Sequence, residues 1–314
     1  MSKVTVVGAG YVGSTVAQYV AEKDISDVVL VEIDALEGVA QGKSLDLMQA
    51  APINGHSRSL KGTSDYANSK NSDIVVITAG IARKPGMTRE DLLRTNAKIV
   101  QEVAEKAVKQ SPDAIFIVVT NPLDVMTYLA QKTTKLDPSK VIGMAGVLDS
   151  ARFQAFISME LNVSCEDVRA MVLGGHGDLM VPLPRYSSVN GIPITELMAK
   201  DRVDALGART RDGGAEIVGL LKTGSAYYAP GASVSQMVEA ILRDKHRLLP
   251  CAVMAQGQYG LNDVYIGLPT VLGKNGVEKI VELKLTDEES ALLKKSADSI
   301  KENINLMNQL LVAV

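Results

Sequence analysis

The chain has 314 residues, of which 46% are hydrophobic and 22% charged, and its formal net charge is −3. This size and composition indicate a globular protein with one large domain or two ordinary ones. The slightly negative charge argues against nucleic acid or an anionic membrane as a partner. No signal-type segment opens the sequence, and no apolar run is long enough to span a bilayer. We therefore expect a cytoplasmic protein.

The two cysteines, Cys165 and Cys251, stand far apart, with no C-x-x-C partner and no nearby histidine. Such isolated cysteines are typical of small buried side chains in a reducing compartment. We expect neither a disulfide nor a metal site.

The first half alternates apolar, β-branched runs with helix-like segments. We predict helices from Gly13 to about Lys23 and over 90–110, and strands at 3–10, 27–33, 72–80, 114–122 and 140–146. Continuous apolar strands separated by helices indicate a parallel sheet that is covered on both faces. The predicted fold class is α/β, with a Rossmann-type doubly wound parallel sheet over residues 1–146.

Residues 147–314 follow a different pattern, with Asn-Gly turn signals at 190–191 and 275–276 between short strands and helices. We predict an α+β catalytic domain there, and no further part of the parallel sheet. Near the C-terminus, apolar residues recur at helical spacing, at Leu293, Ala297, Ile300, Ile304, Met307 and Leu311. They predict a long terminal helix with one buried face, for which packing is a sufficient role.

Gly8, Gly10 and Gly13 form a G-x-G-x-x-G pattern between the first strand and the first helix. Gly8 permits a turn, Gly10 lets the backbone approach a pyrophosphate, and Gly13 allows close packing of helix on strand. The amides at the helix N-terminus would face the anion. The pattern predicts a dinucleotide site.

A carboxylate follows this loop at the end of the second strand. Glu32, 19 residues after Gly13, can accept hydrogen bonds from ribose hydroxyls and would repel a 2′-phosphate, which favours NAD over NADP. Asp34 lies two residues further on and competes for the same role, so the choice stays open.

His176 is one of three histidines and lies in the segment G-G-H-G-D between two apolar runs. Taken alone, the segment is typical of an exposed glycine-rich turn. Beside a dinucleotide site, however, oxidation of an alcohol needs a base for the hydroxyl proton, and imidazole titrates near neutral pH. Asp149 could orient the ring, and Arg152, on the same helix face as Asp149, could bind a carboxylate.

Arg83 and Arg89 flank Lys84-Pro85-Gly86 in a loop-like stretch that follows a predicted strand. Such clusters are commonly solvated basic loops. At the carboxyl edge of a nucleotide-binding sheet, however, the loop is placed to close over a ligand.

Six motifs now stand in a recognisable order over nearly the whole chain: GAGYVG, ARKPGMTRED, VTNPLD, GVLDSARF, GGHGD and LLKTGSAYYAP. In these motifs the chain resembles the lactate/malate dehydrogenase family, and most of all the malate dehydrogenases of its lactate-dehydrogenase-like branch. The resemblance implies reversible, NAD-dependent oxidation of (S)-malate to oxaloacetate by hydride transfer with a His/Asp proton relay. It also implies a homodimer or a homotetramer.

The resemblance further implies the roles of individual residues. His176 accepts the proton during malate oxidation, and Asp149 is its carboxylate partner. Arg152 binds the carboxylate beside the reacting carbon, Arg89 polarises the carbonyl oxygen as its loop closes, and Asn121 contacts substrate next to the nicotinamide. The expected cofactor contacts are Gly8, Ala9, Gly10, Tyr11, Val12, Gly13, Glu32, Asn96, Val119, Thr120 and Asn121.

The chain departs from the family pattern near the ribose acid. Aspartate is commoner in the family at the position of Glu32, and the segment EIDALEG is about two residues longer than expected. This difference leaves the choice between Glu32 and Asp34 open and does not affect the catalytic residues.

Arg83 stands where lactate enzymes of this family usually carry glutamine, at the position that contacts the far end of the substrate. A buried arginine that faced a methyl group would lack a counter-charge, which costs several kcal/mol. A second carboxylate would instead provide a charge-assisted contact. The expected substrate is therefore a small dicarboxylic acid, malate or oxaloacetate.

Three other functions remain open from the sequence. A lactate or other 2-hydroxy-acid dehydrogenase would share every motif and differ only in substrate. A nucleotide-dependent glycosidase would need metal ligands, and a non-catalytic NAD-binding module would have no use for His176, Asp149, Arg152 and Arg83.

Overall fold

The computed structural model describes residues 2–82 and 86–312. Arg83 lies outside these residues. The first half alternates strands and helices as β1 (Lys3–Val7), α1 (Tyr11–Glu22), β2 (Asp27–Val31), α2 (Glu37–Asn54), β3 (Leu60–Thr63), β4 (Ile74–Ile77), α3 (Arg89–Gln110), β5 (Ile115–Val118), α4 (Leu123–Thr134), β6 (Val141–Gly143) and α5 (Ala145–Leu161).

The second half begins with short strands and ends with longer elements. They are β7 (Val168–Arg169), β8 (Val172–Leu173), β9 (Val181–Pro182), β10 (Ser188–Val189), β11 (Ile192–Pro193), α6 (Ile194–Leu197), α7 (Lys200–Leu221), α8 (Tyr228–Leu242), β12 (Arg247–Gln256), β13 (Asn262–Gly273), β14 (Gly276–Ile280) and α9 (Asp287–Val312).

In the described part of the chain, nine strands form one sheet in the order β14-β13-β12-β6-β5-β4-β1-β2-β3. The first six strands of the chain pair in parallel, which confirms the predicted Rossmann-type sheet. The remaining three, β12 to β14, pair antiparallel and extend the same sheet. The predicted division between residues 146 and 147 falls inside α5 and stays a prediction.

The central strands are buried on both faces, as continuous apolar runs require. Val4, Val6, Phe116 and Ile117 have no exposed surface. Helix α1 packs its Val16, Ala17 and Val20 face into the same core. This rigid core holds the carboxyl ends of the strands, where the loops with the predicted functional residues begin.

All five strands predicted in the first half end earlier than expected. Those at 27–33 and 140–146 end at Val31 and Gly143. The run expected at 3–10 ends at Val7, because Gly8 has a left-handed φ of 105° and turns the chain out of the sheet. The runs expected at 72–80 and 114–122 end at Ile77 and Val118. The residues that follow Val7, Ile77 and Val118 form loops at the carboxyl edge of the sheet.

Both Asn-Gly predictions are confirmed. Asn190 and Gly191 have positive φ angles and join β10 to β11, and Gly276 has a φ of 90° at the start of β14. The predicted terminal helix is α9, with Leu293, Ala297, Ile300, Ile304 and Met307 buried.

The prediction for the cysteines is half right. Cys251 is fully buried in β12, as expected, whereas Cys165 is exposed. The prediction for Cys165 is wrong because this residue lies in the turn between α5 and β7, where the chain runs along the surface. Among the helices in the described part of the chain, none combines the length and apolar character that a membrane span requires.

Candidate active site

The glycine loop connects β1 to α1. A Cβ atom on Gly13 would overlap the Gly8 carbonyl oxygen, whereas a Cβ on Gly10 would meet nothing within 4 Å. Gly13 is therefore needed for packing inside the protein, and Gly10 faces open space. As the N-cap of α1, Gly10 also leaves the first helical N–H groups without a side-chain cap, which suits an anionic ligand.

Glu32 lies against this loop. Its Oε2 accepts a hydrogen bond from the backbone N–H of Ala9 at 2.7 Å, and its Oε1 accepts one from the N–H of Ile33 at 3.0 Å. Asp34 is exposed in the single turn that follows. Lys43, which the sequence analysis missed, donates to the Ala9 carbonyl at 2.7 Å. Partial burial lowers the pKa of Lys43, and the Glu32 carboxylate opposes this effect.

A groove of about 690 Å³ runs along this edge of the sheet, lined by Gly8, Gly10, Glu32, Ile33, Tyr66, Gly80 and Ile99. Its chemistry fits a dinucleotide. Glycine backbone lies where a pyrophosphate would bind, a carboxylate lies at the end of β2, and apolar side chains line the wall. Both Glu32 and Asp34 border the groove, so its lining does not decide which of them binds a ribose.

Asn96 connects the loops that follow β4 and β5 at the carboxyl edge of the sheet. It is 1% exposed, and its amide pairs with both backbone groups of Ile81 and donates to the Asn121 carbonyl at 2.7 Å. Thr120, also buried, donates to the Ala79 carbonyl at 2.7 Å. These bonds hold the loops after β4 and β5 together. Direct cofactor contacts of Asn96, Val119, Thr120 and Asn121 stay predictions.

The structure brings His176 and Asp149 together. His176 Nδ1 lies 2.9 Å from Asp149 Oδ2, and the two side chains are 14% and 2% exposed. Burial disfavours a charged ring, but the Asp149 carboxylate outweighs burial and raises the pKa of His176. A hydrogen bond at Nδ1 leaves Nε2 as the ring atom that can exchange a proton with a substrate.

Arg152 completes this cluster from the same helix as Asp149. Its terminal nitrogen lies 3.5 Å from Asp149 Oδ1, and its side chain is 12% exposed. Among the described residues, its Nε has no hydrogen-bond partner. A buried guanidinium with free donors is suited to bind a carboxylate.

Of the two arginines in the loop after β4, the structure describes Arg89. Arg89 is the exposed first residue of α3, beside the N-cap Thr88, whose side chain pairs reciprocally with Asp91. Its contact with a substrate stays a prediction. The prediction for Arg83 lies outside the described residues.

Both halves of the chain match one family over almost their full length. Residues 2–143 match the lactate/malate dehydrogenase NAD binding domain, and residues 146–311 match the lactate/malate dehydrogenase alpha/beta C-terminal domain. The chain belongs to the lactate/malate dehydrogenase family.

Similar proteins within the family include both malate dehydrogenases and lactate dehydrogenases. The chain is 56% identical to the malate dehydrogenase of Roseiflexus castenholzii over 98% of its own length and 99% of that relative. The malate dehydrogenase of Salinibacter ruber superposes with a TM-score of 0.95 at 48% identity, covering 99% of both chains. A Cryptosporidium parvum lactate dehydrogenase, solved with lactic acid and the cofactor, gives 0.94 at 42% identity over 98% of both chains. The family fold therefore does not by itself select the substrate.

In this family member, three consecutive N–H groups anchor the histidine loop to different elements. The Gly174 N–H donates to the Gly267 carbonyl of β13 at 2.9 Å. The Gly175 N–H donates to Ser296 Oγ of α9 at 2.8 Å. The His176 N–H donates to Asp124 Oδ2 of α4 at 2.9 Å. The sequence analysis missed Asp124 and Ser296, although Asp124 lies within the VTNPLD motif that supported the family resemblance.

Proposed function

We propose that the chain is an NAD-dependent malate dehydrogenase that interconverts (S)-malate and oxaloacetate. The observation that carries the proposal is the position of Asp149, whose two oxygens face His176 at 2.9 Å and Arg152 at 3.5 Å. In this arrangement a proton-exchanging ring would lie beside a buried carboxylate-binding group. The likeness to malate dehydrogenases over nearly the whole chain supports the substrate.

The cofactor would lie in the groove beside the glycine loop. When bound, NAD supplies the hydride acceptor for the alcohol carbon. Gly10 and the first turn of α1 would hold the pyrophosphate, and Glu32 would bind the ribose hydroxyls and disfavour a 2′-phosphate.

During malate oxidation, His176 Nε2 takes the hydroxyl proton. Asp149 keeps Nδ1 protonated, so that Nε2 is free to accept it, and then stabilises the charged ring. Arg152 binds the carboxylate next to the reacting carbon and fixes the distance to His176. Arg89, at the start of α3, would contact the oxygen on the reacting carbon of the substrate.

Selection of the substrate would depend on Arg83. A second carboxylate on the substrate would neutralise this arginine, whereas the methyl group of pyruvate would leave it unpaired, a difference of several kcal/mol. A lactate dehydrogenase is the alternative that the family fold supports.

We also propose a cytoplasmic homodimer or homotetramer. Support for an assembly comes from α2, which exposes Val39, Leu45, Met48 and Ile53, because large exposed apolar side chains on one helix are typical of an interface. Light scattering of the purified protein would measure the mass of the assembly, and a monomer would contradict the proposal.

The deciding experiment follows NADH absorbance with oxaloacetate and, in parallel, with pyruvate. We expect kcat/KM for oxaloacetate to exceed that for pyruvate by at least about 100-fold, and a His176→Asn control to be inactive on both. Preference for pyruvate would identify a lactate enzyme. Failure to oxidise NADH with any 2-oxo acid would indicate a non-catalytic NAD-binding module.

A further inference from the structure

Asp124 is a second buried carboxylate beside the catalytic histidine. It is 5% exposed, and only one of its oxygens, Oδ2, is used by the His176 N–H. Among the described residues, Oδ1 has no hydrogen-bond partner. Burial of a carboxylate with an unsatisfied oxygen and no directly paired cation is costly. A neutral side chain could accept the same hydrogen bond from the His176 N–H. The negative charge of Asp124 therefore indicates a further role.

The charged groups around His176 indicate what this further role is. In the described structure, the charged groups that act on the ring are Asp149 and Arg152 from α5 and Asp124 from α4. Helix α9 contributes the uncharged Ser296, and β13 contributes the backbone of Gly267. Asp124 is therefore the second negative charge that faces His176.

The loop is packed tightly onto these groups. A Cβ atom on Gly175 would lie 3.0 Å from Ile300 Cδ1, 3.2 Å from Ser296 Oγ and 3.3 Å from Asp124 Oδ2. The position of the His176 backbone is therefore fixed relative to Asp124.

The charges of the two groups are coupled. The pKa of Asp124 is raised to about 6 because burial, the largest cause, and the charge of Asp149 together outweigh the opposing hydrogen bond and charge of His176. Conversely, burial lowers the pKa of His176, Asp149 raises it most, Arg152 lowers it and Asp124 raises it. Loss of the negative charge on Asp124 would make the protonated ring less favourable.

We propose that Asp124 is a positioning residue for His176: one carboxylate oxygen fixes the histidine backbone, and the negative charge favours the protonated imidazole. The kinetic part of this inference rests on the proposed function, in which His176 gains and loses a proton in each turnover. The electrostatic part concerns the resting protein and holds whichever 2-oxo acid is the substrate.

Two substitutions separate the two roles. Asp124→Asn keeps an acceptor for the His176 N–H and removes the charge. We expect the alkaline limb of kcat/KM for oxaloacetate, which requires protonated His176, to move to lower pH by about half a unit or more. Asp124→Ala removes the acceptor as well, so we expect the same displacement together with a lower kcat. NADH affinity should be unchanged in both.

The matched control is Thr127→Val, one turn further along α4. Thr127 is fully buried, and within the described residues its hydroxyl donates to the Leu123 carbonyl of the same helix at 2.7 Å. We expect the pH profile of kcat/KM for oxaloacetate to be unchanged in Thr127→Val. If Asp124→Asn lowers activity without moving the limb, as a packing defect would, the proposal is wrong.

A second measurement requires neither enzymatic turnover nor a substitution at Asp124. The ring signals of His56, His176 and His246 can be followed by NMR against pH in the unmodified protein, with His176→Gln giving the assignment. We expect the His176 signal to show two inflections, one near pH 6 from Asp124 and one from the ring itself. A single inflection would overturn the proposal even if malate dehydrogenase activity were established.

Discussion

Arg152 and Asp149 lie one helical turn apart on the same face of α5, with their nearest nitrogen and oxygen 3.5 Å apart. This separation is longer than a strong charge-assisted hydrogen bond. The arginine is therefore held in place by Asp149 without being fully paired, and its remaining donors are available to a ligand.

Arg152→Lys should show how far the planar guanidinium matters. We expect kcat/KM for oxaloacetate to fall by about 100-fold or more, because an ammonium cannot bind a carboxylate bidentately. NADH binding, measured by fluorescence, should be unaffected. Arg185→Lys is the matched control, since Arg185 is half exposed and pairs with Glu289 at the surface. Equal losses in both variants would remove Arg152 from the substrate site.

The glycine loop offers a pair of substitutions with opposite effects. Gly13→Ala should lower the thermal midpoint, because the new Cβ would overlap the Gly8 carbonyl oxygen and overpacking typically costs about 1–3 kcal/mol. Gly10→Ala should leave the midpoint in place, because its Cβ would enter open space. It should instead weaken NADH binding by about tenfold or more, because the pyrophosphate would need that space. A tight NADH complex of Gly10→Ala would contradict this assignment.

Comparison of Glu32→Gln with Asp34→Asn would decide which acid binds the ribose. We expect Glu32→Gln to reduce the preference for NADH over NADPH by about tenfold or more, because the repulsion of a 2′-phosphate is lost. Asp34→Asn should change this preference by less than about twofold, as for an exposed charge. The reverse result would assign the role to Asp34. Both ratios come from steady-state kinetics with each cofactor.

Arg83→Gln tests the choice of substrate. We expect the preference for oxaloacetate over pyruvate to fall by at least about tenfold, because the charge that matches the second carboxylate is removed. The measurement is kcat/KM with both acids under one set of conditions. Unchanged discrimination would show that another residue selects the diacid.

The burial of Asp124 predicts a pH-dependent stability. Its pKa is raised from 3.8 to about 6 in the folded protein, so the folded state binds the proton more tightly than the unfolded chain. This contribution favours the fold below about pH 4 and is lost as the pH rises through about 6. We therefore expect Asp124→Asn to be more stable than the unmodified protein at about pH 8, by roughly 1–3 kcal/mol, with a smaller difference near pH 4. Chemical denaturation at both pH values measures it. A variant that is less stable at high pH would contradict this prediction.

The sequence predicted those parts of the site that are local in the chain. The glycine loop and the pair Asp149 and Arg152 each lie within one supersecondary unit, where spacing determines geometry. The pairing of His176 with Asp149 came from chemical reasoning about a proton acceptor and its partner, and the 2.9 Å contact confirms it.

Distant contacts could not be predicted in the same way. Asp124 lies 52 residues from His176, and Ser296 lies 121 residues from Gly175. Helical periodicity assigned α9 a packing role, because a serine between apolar positions gives no sign of its partner. The orientation of an amide side chain cannot be predicted from sequence either, so the hydrogen bonds of Asn96 to Ile81 and Asn121 were not expected. Its contact with the cofactor stays a prediction.

The three tethers of the histidine loop reach β13, α4 and α9, and α9 is the last helix that the structure describes. During synthesis, the chain through α9 must therefore leave the ribosome before His176 can reach its working position. The residues that line the nucleotide groove, by contrast, all belong to the first third of the chain. A nascent or C-terminally shortened molecule should thus be able to capture dinucleotide well before it can turn over any acid.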